Sequence, residues 1–232
     1  MTECVKRWGR RFKSGHSHLM RPRVLITGGA AGLGHALCKS FEGDVHSIDV
    51  VDPQQPLEHV TYHTVSVCDS ALKEVLERVG SVDVLINNAG IMRREGVLDI
   101  SFEDARLLFD VNVFGVWNVT RHTLLSTDAV VVFVNSRHGM RLEPDPAMYS
   151  LTKNMLSLLS EVFSQEGVRV KQAFLGPFEG GVSRHGHSAQ GYAMRTLHSA
   201  EHVANLMRAF IDSSEGVLEY VEGDHTYSTR EY

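Results

Sequence analysis

"RVLITGGAAGLG", residues 23–34, is the stretch that decides the fold. A short apolar run, "VLI", empties into a turn with glycines at 28, 32 and 34, and "LGHALCKSF" (33–41) follows with helical spacing. Strand, tight glycine turn, helix: that order has a physical use. Glycine lets the backbone turn sharply and approach a phosphate closely. The helix behind it offers unbonded N–H groups and the positive end of its dipole. Gly28, Ala31, Gly32, Leu33 and Gly34 are therefore candidate contacts for the pyrophosphate of a dinucleotide. Asp49 closes the next strand, "DVHSIDV" (44–50), 21 residues after Gly28. A carboxylate there accepts hydrogen bonds from ribose hydroxyls and repels a 2′-phosphate. The glycine turn and the residues just after Asp49 hold no Arg or Lys, so NAD is expected over NADP.

Outward from this unit, apolar runs keep alternating with helix-like segments. Strands are expected at 60–67, 82–90, 129–136, 168–176 and around 217–221, the last before a polar tail. Helices are expected at 70–80, at 101–125 behind a Ser101 cap, at 147–167, and at 199–211 behind a Ser199 cap. Such alternation predicts βαβ units: a Rossmann-type, doubly wound parallel sheet with helices on both faces, a three-layer α/β/α fold. No repeat or composition break divides the chain, so 21–232 reads as one dinucleotide-binding domain. The stretch 178–195, rich in Gly, Ser and His, reads as a loop or small lid.

The formal charge of −5 over 232 residues points to neither a nucleic-acid nor a membrane partner. It is unevenly placed. Residues 1–23 carry seven Lys/Arg and one acid, and 1–20 read as a basic leader outside the fold, with Met20 just before the first strand. Cys4, Cys38 and Cys68 are odd in number and widely spaced, which implies a reducing, cytoplasmic setting and neither a disulfide framework nor a cysteine metal site.

Near the middle lies "YSLTK" (149–153), a tyrosine and a lysine four apart on an expected helix and so on one face. Together with "TGGAAGLG" (27–34), "NNAG" (87–90), "VNVFG" (111–115) and the serine of "VNSRHG", it resembles the short-chain dehydrogenase/reductase family from about residue 23 to 180, and more loosely to the end. Tyr149 follows Ser136 by 13 positions, as in that family. The resemblance implies an enzyme that moves a hydride between NAD(H) and an alcohol, ketone or aldehyde. Asn112, Ser136, Tyr149 and Lys153 match its catalytic tetrad. Tyr149 would be the general acid/base, Ser136 a donor to the substrate oxygen, and Asn112 the support of a water leading from Lys153. Lys153 would hold the nicotinamide ribose and lower the phenol's pKa through its charge. Asn88, Ala89, Gly90 and Gly176, with Tyr149 and Lys153, would line the cofactor. A homodimer or homotetramer through 101–125 and 147–167 is implied as well.

Two places depart from the family. "SVCD" (66–69) offers Ser66 and the Val67 backbone where an acid often meets adenine. "LGPFEGG" (175–181) has Leu175 for a proline and Gly180 about where a threonine would stand. A catalytically idle dinucleotide-binding sensor or scaffold is the competing function. "HSAEH" (198–202) fits a zinc-protease pattern, but Ser199 looks like a helix cap that leaves His198 outside, so no metal is expected. "RHGH" (184–187) reads as polar lid. Arg137 and His138, just after the serine, are candidate pocket residues.

Overall fold

A computed structural model describes residues 21–143, 146–179, 198–221 and 226–231. The basic leader, Gly180, "RHGH", "EGDH" (222–225) and most of the expected lid lie outside the described residues.

Among the described residues eight strands form one sheet: β1 (Arg23–Thr27), β2 (Asp44–Asp49), β3 (Val60–Thr64), β4 (Ser81–Asn87), β5 (Leu124–Ser136), β6 (Arg169–Leu175), β7 (Val217–Val221) and β8 (Thr226–Arg230). Their spatial order is β3-β2-β1-β4-β5-β6-β7-β8, parallel except for the β7–β8 pair. Strand order reverses between β1 and β4. A doubly wound sheet opens its ligand crevice at such a reversal, beyond the strands' carboxyl ends.

Helices cover both faces. On one lie α1 (Gly32–Ser40) and α6 (Ala200–Asp212), where Leu37, Phe41, Val203, Met207 and Phe210 share a core with Val24, Ile26 and Val132. On the other lie α2 (Leu72–Val79), α4 (Val116–His122) and α5 (Ala147–Gln165), where Leu72, Leu76, Val119 and Leu156 meet Leu25, Leu85 and Phe133. Central strands buried on both faces explain why "VLI" and "VVVFV" read as unbroken apolar runs. Each such side chain contributes on the order of 1.5–3 kcal/mol when fully buried.

Three expectations are corrected. The single helix at 101–125 is instead α3 (Phe102–Phe109), a π-helical turn (Asp110–Gly115) and α4. Gly115 explains part of this, since a Cβ there would come within 2.5 Å of Val67. The helix also stops early: the Thr123 hydroxyl donates to the Val119 carbonyl at 2.8 Å and its backbone is extended. β5 therefore starts at Leu124 and not at 129, and its pairing with β4 shifts register between Val82 and Val84. Third, the polar tail supplies β8, which is exposed along most of its length and pairs antiparallel to β7 at the sheet edge.

Lys171 on β6 is a buried cation that the sequence reading passed over. Its ammonium donates to the carbonyls of Phe210, Ser213 and Glu215 at 2.6–2.8 Å, closing the C-terminal end of α6. Three N–H donors meet three acceptors at the negative end of a helix dipole. Burial draws its pKa down to about 8, which still leaves it charged at neutral pH.

Candidate active site

The site starts at the end of β1. The Thr27 hydroxyl oxygen accepts the N–H groups of Asn88 and Ala89, both at 3.0 Å, and so knits β1 to the end of β4. The Asn88 amide donates to the carbonyls of Thr27 (2.9 Å) and Gly28 (3.1 Å). Asn88 thus holds the glycine turn from behind. Gly28 has φ 72° and Gly32 φ 53°, left-handed conformations in which a side chain is strained. A Cβ at Gly34 would lie 1.9 Å from the Gly28 carbonyl oxygen. The turn is closed tightly enough that only glycine fits. No side chain caps the start of α1, and no acid lies in its first turn.

Asp49 faces this turn. Its Oδ2 accepts the Ala30 N–H at 2.9 Å and its Oδ1 the Val50 N–H at 2.7 Å. Ser66 and Val67 flank it across the crevice; the Ser66 hydroxyl oxygen accepts the Cys68 N–H at 3.2 Å.

The other end of the crevice is built by β5, α5 and the π-helical turn. Tyr149 and Lys153 project from successive turns of α5 and are buried, with the ammonium 5.8 Å from the centre of the phenol ring. The Tyr149 hydroxyl is hydrogen-bonded to the Ser136 side chain. Lys153 Nζ donates to the Val134 carbonyl at 3.1 Å. Asn112 accepts the Ile91 N–H and donates to the Ile91 carbonyl, both at 2.9 Å, and also donates to the Thr152 hydroxyl at 3.1 Å. The π-helical turn is what sets Asn112 at that point. Its amide pins the strand-end backbone, while its Oδ1 and the Lys153 ammonium both lie near Gly90.

One expectation is reversed. Lys153 was expected to lower the phenol's pKa. Burial instead drives Tyr149 up to about 12, with the Ser136 hydrogen bond opposing it. Burial likewise pulls Lys153 down to about 8.

The glycine turn, Asp49, Asn88, Ser136, Tyr149 and Lys153 line one cavity of about 850 Å³, at the upper end of the size usual for cofactor clefts. Gly28, Ala31, Gly32, Leu33, Gly34 and Asp49 line one end. Ser66, Val67, Asn88, Ala89 and Gly90 line the middle, and Ser136, Tyr149 and Lys153 the other end. Leu175, Gly176 and Phe178 close it from the β6 side. Gly176 has a packing reason too, because a Cβ would meet the Tyr220 ring at 2.4 Å. Asn112 stands just behind the wall and is not itself in the lining. The glycine cradle, the uncapped start of α1 and the volume of the cavity fit a nicotinamide dinucleotide.

Sequence reasoning missed two contributors. Asn135 donates to the Lys153 carbonyl (3.1 Å) and the Ser157 hydroxyl (2.9 Å), and accepts the Ser136 N–H (2.8 Å), so it ties β5 to α5. Glu143 lies 3.3 Å from His138 Nε2. Neither has a spacing signal; each is found only when two elements meet. Of the two pocket candidates, Arg137 and His138 both line the cavity. In "HSAEH" the Ser199 hydroxyl oxygen caps α6 by accepting the His202 N–H, and the His198 and His202 rings stack. Among the described residues no group of three metal-ligating side chains gathers.

A glycine cradle at the switch point of a doubly wound sheet defines an NAD(P)-binding protein of the Rossmann class. The sequence profile described as short chain dehydrogenase matches residues 22–188, and the chain belongs to that family. It is 30% identical over 172 residues to the oxidoreductase UcpA of Escherichia coli K12, covering 63% of this chain and 65% of that protein. To L-2,3-butanediol dehydrogenase of Corynebacterium glutamicum it is 29% identical over 169 residues, with 62% and 65% covered. The chain thus spans 65% of the length of these curated relatives. A short chain dehydrogenase from Burkholderia cenocepacia J2315, solved in complex with NADP, superposes with a TM-score of 0.70 at 21% identity, over 84% of this chain and 94% of that one.

Proposed function

We propose that the protein transfers a hydride between NAD(H) and an alcohol or carbonyl substrate, with Tyr149 as the general acid/base. The observation that carries this reading is one continuous cavity with the glycine cradle and Asp49 at one end and the Tyr149 hydroxyl, Ser136 and Lys153 at the other. When bound, the nicotinamide cofactor supplies or accepts the hydride. The protein's own groups handle the proton. As a carbonyl is reduced, its oxygen becomes an alkoxide and takes the Tyr149 hydroxyl proton; alcohol oxidation runs the same proton back. A phenol pushed up to about 12 holds that proton through the neutral range. Ser136 donates a hydrogen bond to the same oxygen, most strongly when that oxygen is an anion. Lys153 holds the nicotinamide ribose, and Asn112 fixes the backbone beside it.

Asp49 supports NAD over NADP, because a 2′-phosphate would sit against a carboxylate. Exposed apolar side chains on the π-helical turn and α4 (Phe114, Trp117) and on one face of α5 (Met155, Leu158, Val162) support a homodimer through these helices. No helix among the described residues is long and apolar enough to cross a membrane. Cys38 and Cys68 are free thiols, which supports a reducing, cytoplasmic location.

The test is a panel of alcohols, ketones and aldehydes offered with both cofactors, followed by nicotinamide absorbance. Turnover that vanishes in Tyr149→Phe supports the enzyme. Tight NAD binding with no turnover of any substrate would favour the idle sensor or scaffold.

A further inference from the structure

Ser136 is not a free hydroxyl at the cavity wall. Its Oγ lies 3.0 Å from His138 Nδ1 and accepts the His138 backbone N–H at 3.3 Å. The far ring nitrogen, Nε2, lies 3.3 Å from Glu143 Oε2. Glu143 is fixed in turn: its Oε1 accepts from Arg141 Nε at 3.0 Å, and its own N–H donates to the Ser150 hydroxyl at 3.0 Å. The ring also meets the Tyr149 ring edge-on, with centroids 5.6 Å apart.

The turn does not need this ring to fold. The His138 carbonyl is already held by Asn154 (2.7 Å) and Ser150 (3.1 Å) from α5. The imidazole is therefore a separate device, placed between a carboxylate and the hydroxyl that the proposed reaction uses.

We propose that His138, anchored by Glu143, is a positioning residue that sets whether the Ser136 hydroxyl hydrogen points into the cavity or away from it. The inference rests on the hydride-transfer reading above and deepens it. A carboxylate can only accept, so Nε2 carries a hydrogen toward Glu143. In the neutral ring Nδ1 is then bare, and Ser136 donates to it. The Ser136 oxygen is left accepting from Tyr149 and from the His138 N–H, and its hydrogen is withheld from substrate. In the imidazolium both nitrogens donate. Nδ1–H then satisfies Ser136 Oγ, and the hydroxyl hydrogen turns to the substrate oxygen. One proton added to His138 thus turns the Ser136 hydroxyl hydrogen from the ring to the substrate, and because Oγ then accepts from Nδ1–H and the His138 N–H, the Tyr149 hydroxyl is released to the substrate as well.

The groups facing the ring set where this occurs. Glu143 from the following loop favours the imidazolium. Burial disfavours it most, and Arg137 on the same turn, Arg141 beyond it and Arg94 from the segment after β4 add to that; Tyr149 faces it from α5 as a neutral phenol. The net direction is down from the ordinary histidine value. Carbonyl reduction should therefore gain as pH falls through the lower part of the histidine range. Its kcat should rise while Tyr149 stays protonated throughout.

The experiment pairs two readouts on the full chain. The first is the 15N shifts of the His138 ring, assigned by their loss in His138→Ala and followed from pH 8 to 5 without substrate. An Nε2–H tautomer at high pH is expected; an Nδ1–H tautomer overturns the proposal whether or not the protein turns anything over. The second is the pH profile of kcat/KM for a carbonyl substrate. Wild type should show a roughly tenfold acid rise carried mostly by kcat, a gain on the order of one hydrogen bond. His138→Ala should lose that limb, and Glu143→Gln should move it to lower pH. An unchanged limb in His138→Ala overturns the proposal. Absence of all turnover in wild type counts against the hydride-transfer reading, and the ring tautomer then decides the placement of Ser136 alone.

Discussion

Asp49 and Ala30 are joined across the mouth of the glycine turn: the Asp49 Oδ2 accepts the Ala30 N–H at 2.9 Å. The residue read as the ribose acceptor is thus also a brace for the turn that would hold the pyrophosphate. An ionised carboxylate has about four lone-pair sites, so two backbone N–H groups leave room for two ribose hydroxyls.

Asp49→Ala should therefore hurt NAD binding twice, through lost ribose contacts and through a loosened turn. NAD affinity is expected to drop about 10–100-fold, the equivalent of losing hydrogen bonds to a charged group. NADP affinity should stay level or improve, because a repelling charge has gone. Fluorescence titration of both cofactors against wild type and variant checks this. Equal affinities for the two in wild type would sink the NAD preference.

Tyr149 makes a prediction about the proton as well as the rate. Tyr149→Phe should cost about 10²–10⁴ in turnover while leaving the cofactor titration unchanged. In the free protein, burial holds the phenol up to about 12. The sign for stability follows. Above about pH 10 an unfolded tyrosine ionises first, so the folded state binds the extra proton and stability falls as pH rises. Chemical denaturation from pH 9 to 11 should therefore show wild type losing more stability than Tyr149→Phe. Parallel curves would place the phenol in a wetter site than α5 provides.

How much of this was legible beforehand depends on the range of the interactions involved. The glycine turn, Asp49 and the tyrosine–lysine pair were readable because each is a local pattern: a strand running into a turn, or two residues one helical turn apart. The break at Asp110–Gly115 was not, since it arises where Gly115 packs on Val67 from another element. β8 was hidden because an edge strand with polar residues carries little apolar alternation. The direction of the Tyr149 pKa was misjudged for a similar reason. Proximity of Lys153 in sequence announces attraction, while burial, which outweighs the opposing Ser136 hydrogen bond, is visible only once α5 is packed on the sheet. Glu143 reaches His138 through a loop turn that no spacing rule describes.

Lys171 offers a stability test far from the cavity. Replacing it with Met keeps the apolar stem, removes the ammonium from over the Phe210 ring, and takes the lysine donor from the Ser213 and Glu215 carbonyls, while the Phe210 carbonyl keeps the Ser213 N–H and hydroxyl. A buried polar group left unsatisfied costs about 1–3 kcal/mol, and the backbone beyond α6 can rotate some of these toward water. A loss of about 2–4 kcal/mol in urea unfolding is expected on that basis, with the cofactor titration unchanged. A variant as stable as wild type would mean that these carbonyls are hydrated and not capped.

The apolar faces of α4 and α5 bear on assembly. Leu158 is 61% exposed and Val162 54%, on the same side of α5 as Met155, and Phe114 is 55% exposed at the π-helical turn beside α5. Isolated exposed apolar residues are ordinary; a run along one helix face beside another is what a self-complementary contact buries. Because Leu158 projects outward, Leu158→Arg should leave the fold intact, with unfolding shifted by no more than about 0.5 kcal/mol per chain in the monomer. In an assembled dimer through this face the same change would set a cation among the apolar side chains that the contact buries. Sedimentation velocity at micromolar protein should show wild type as a dimer or tetramer and Leu158→Arg shifted toward monomer. A wild type that is monomeric at that concentration would remove the homo-oligomer from the proposal. A variant with unchanged sedimentation would move the contact off this face of α5.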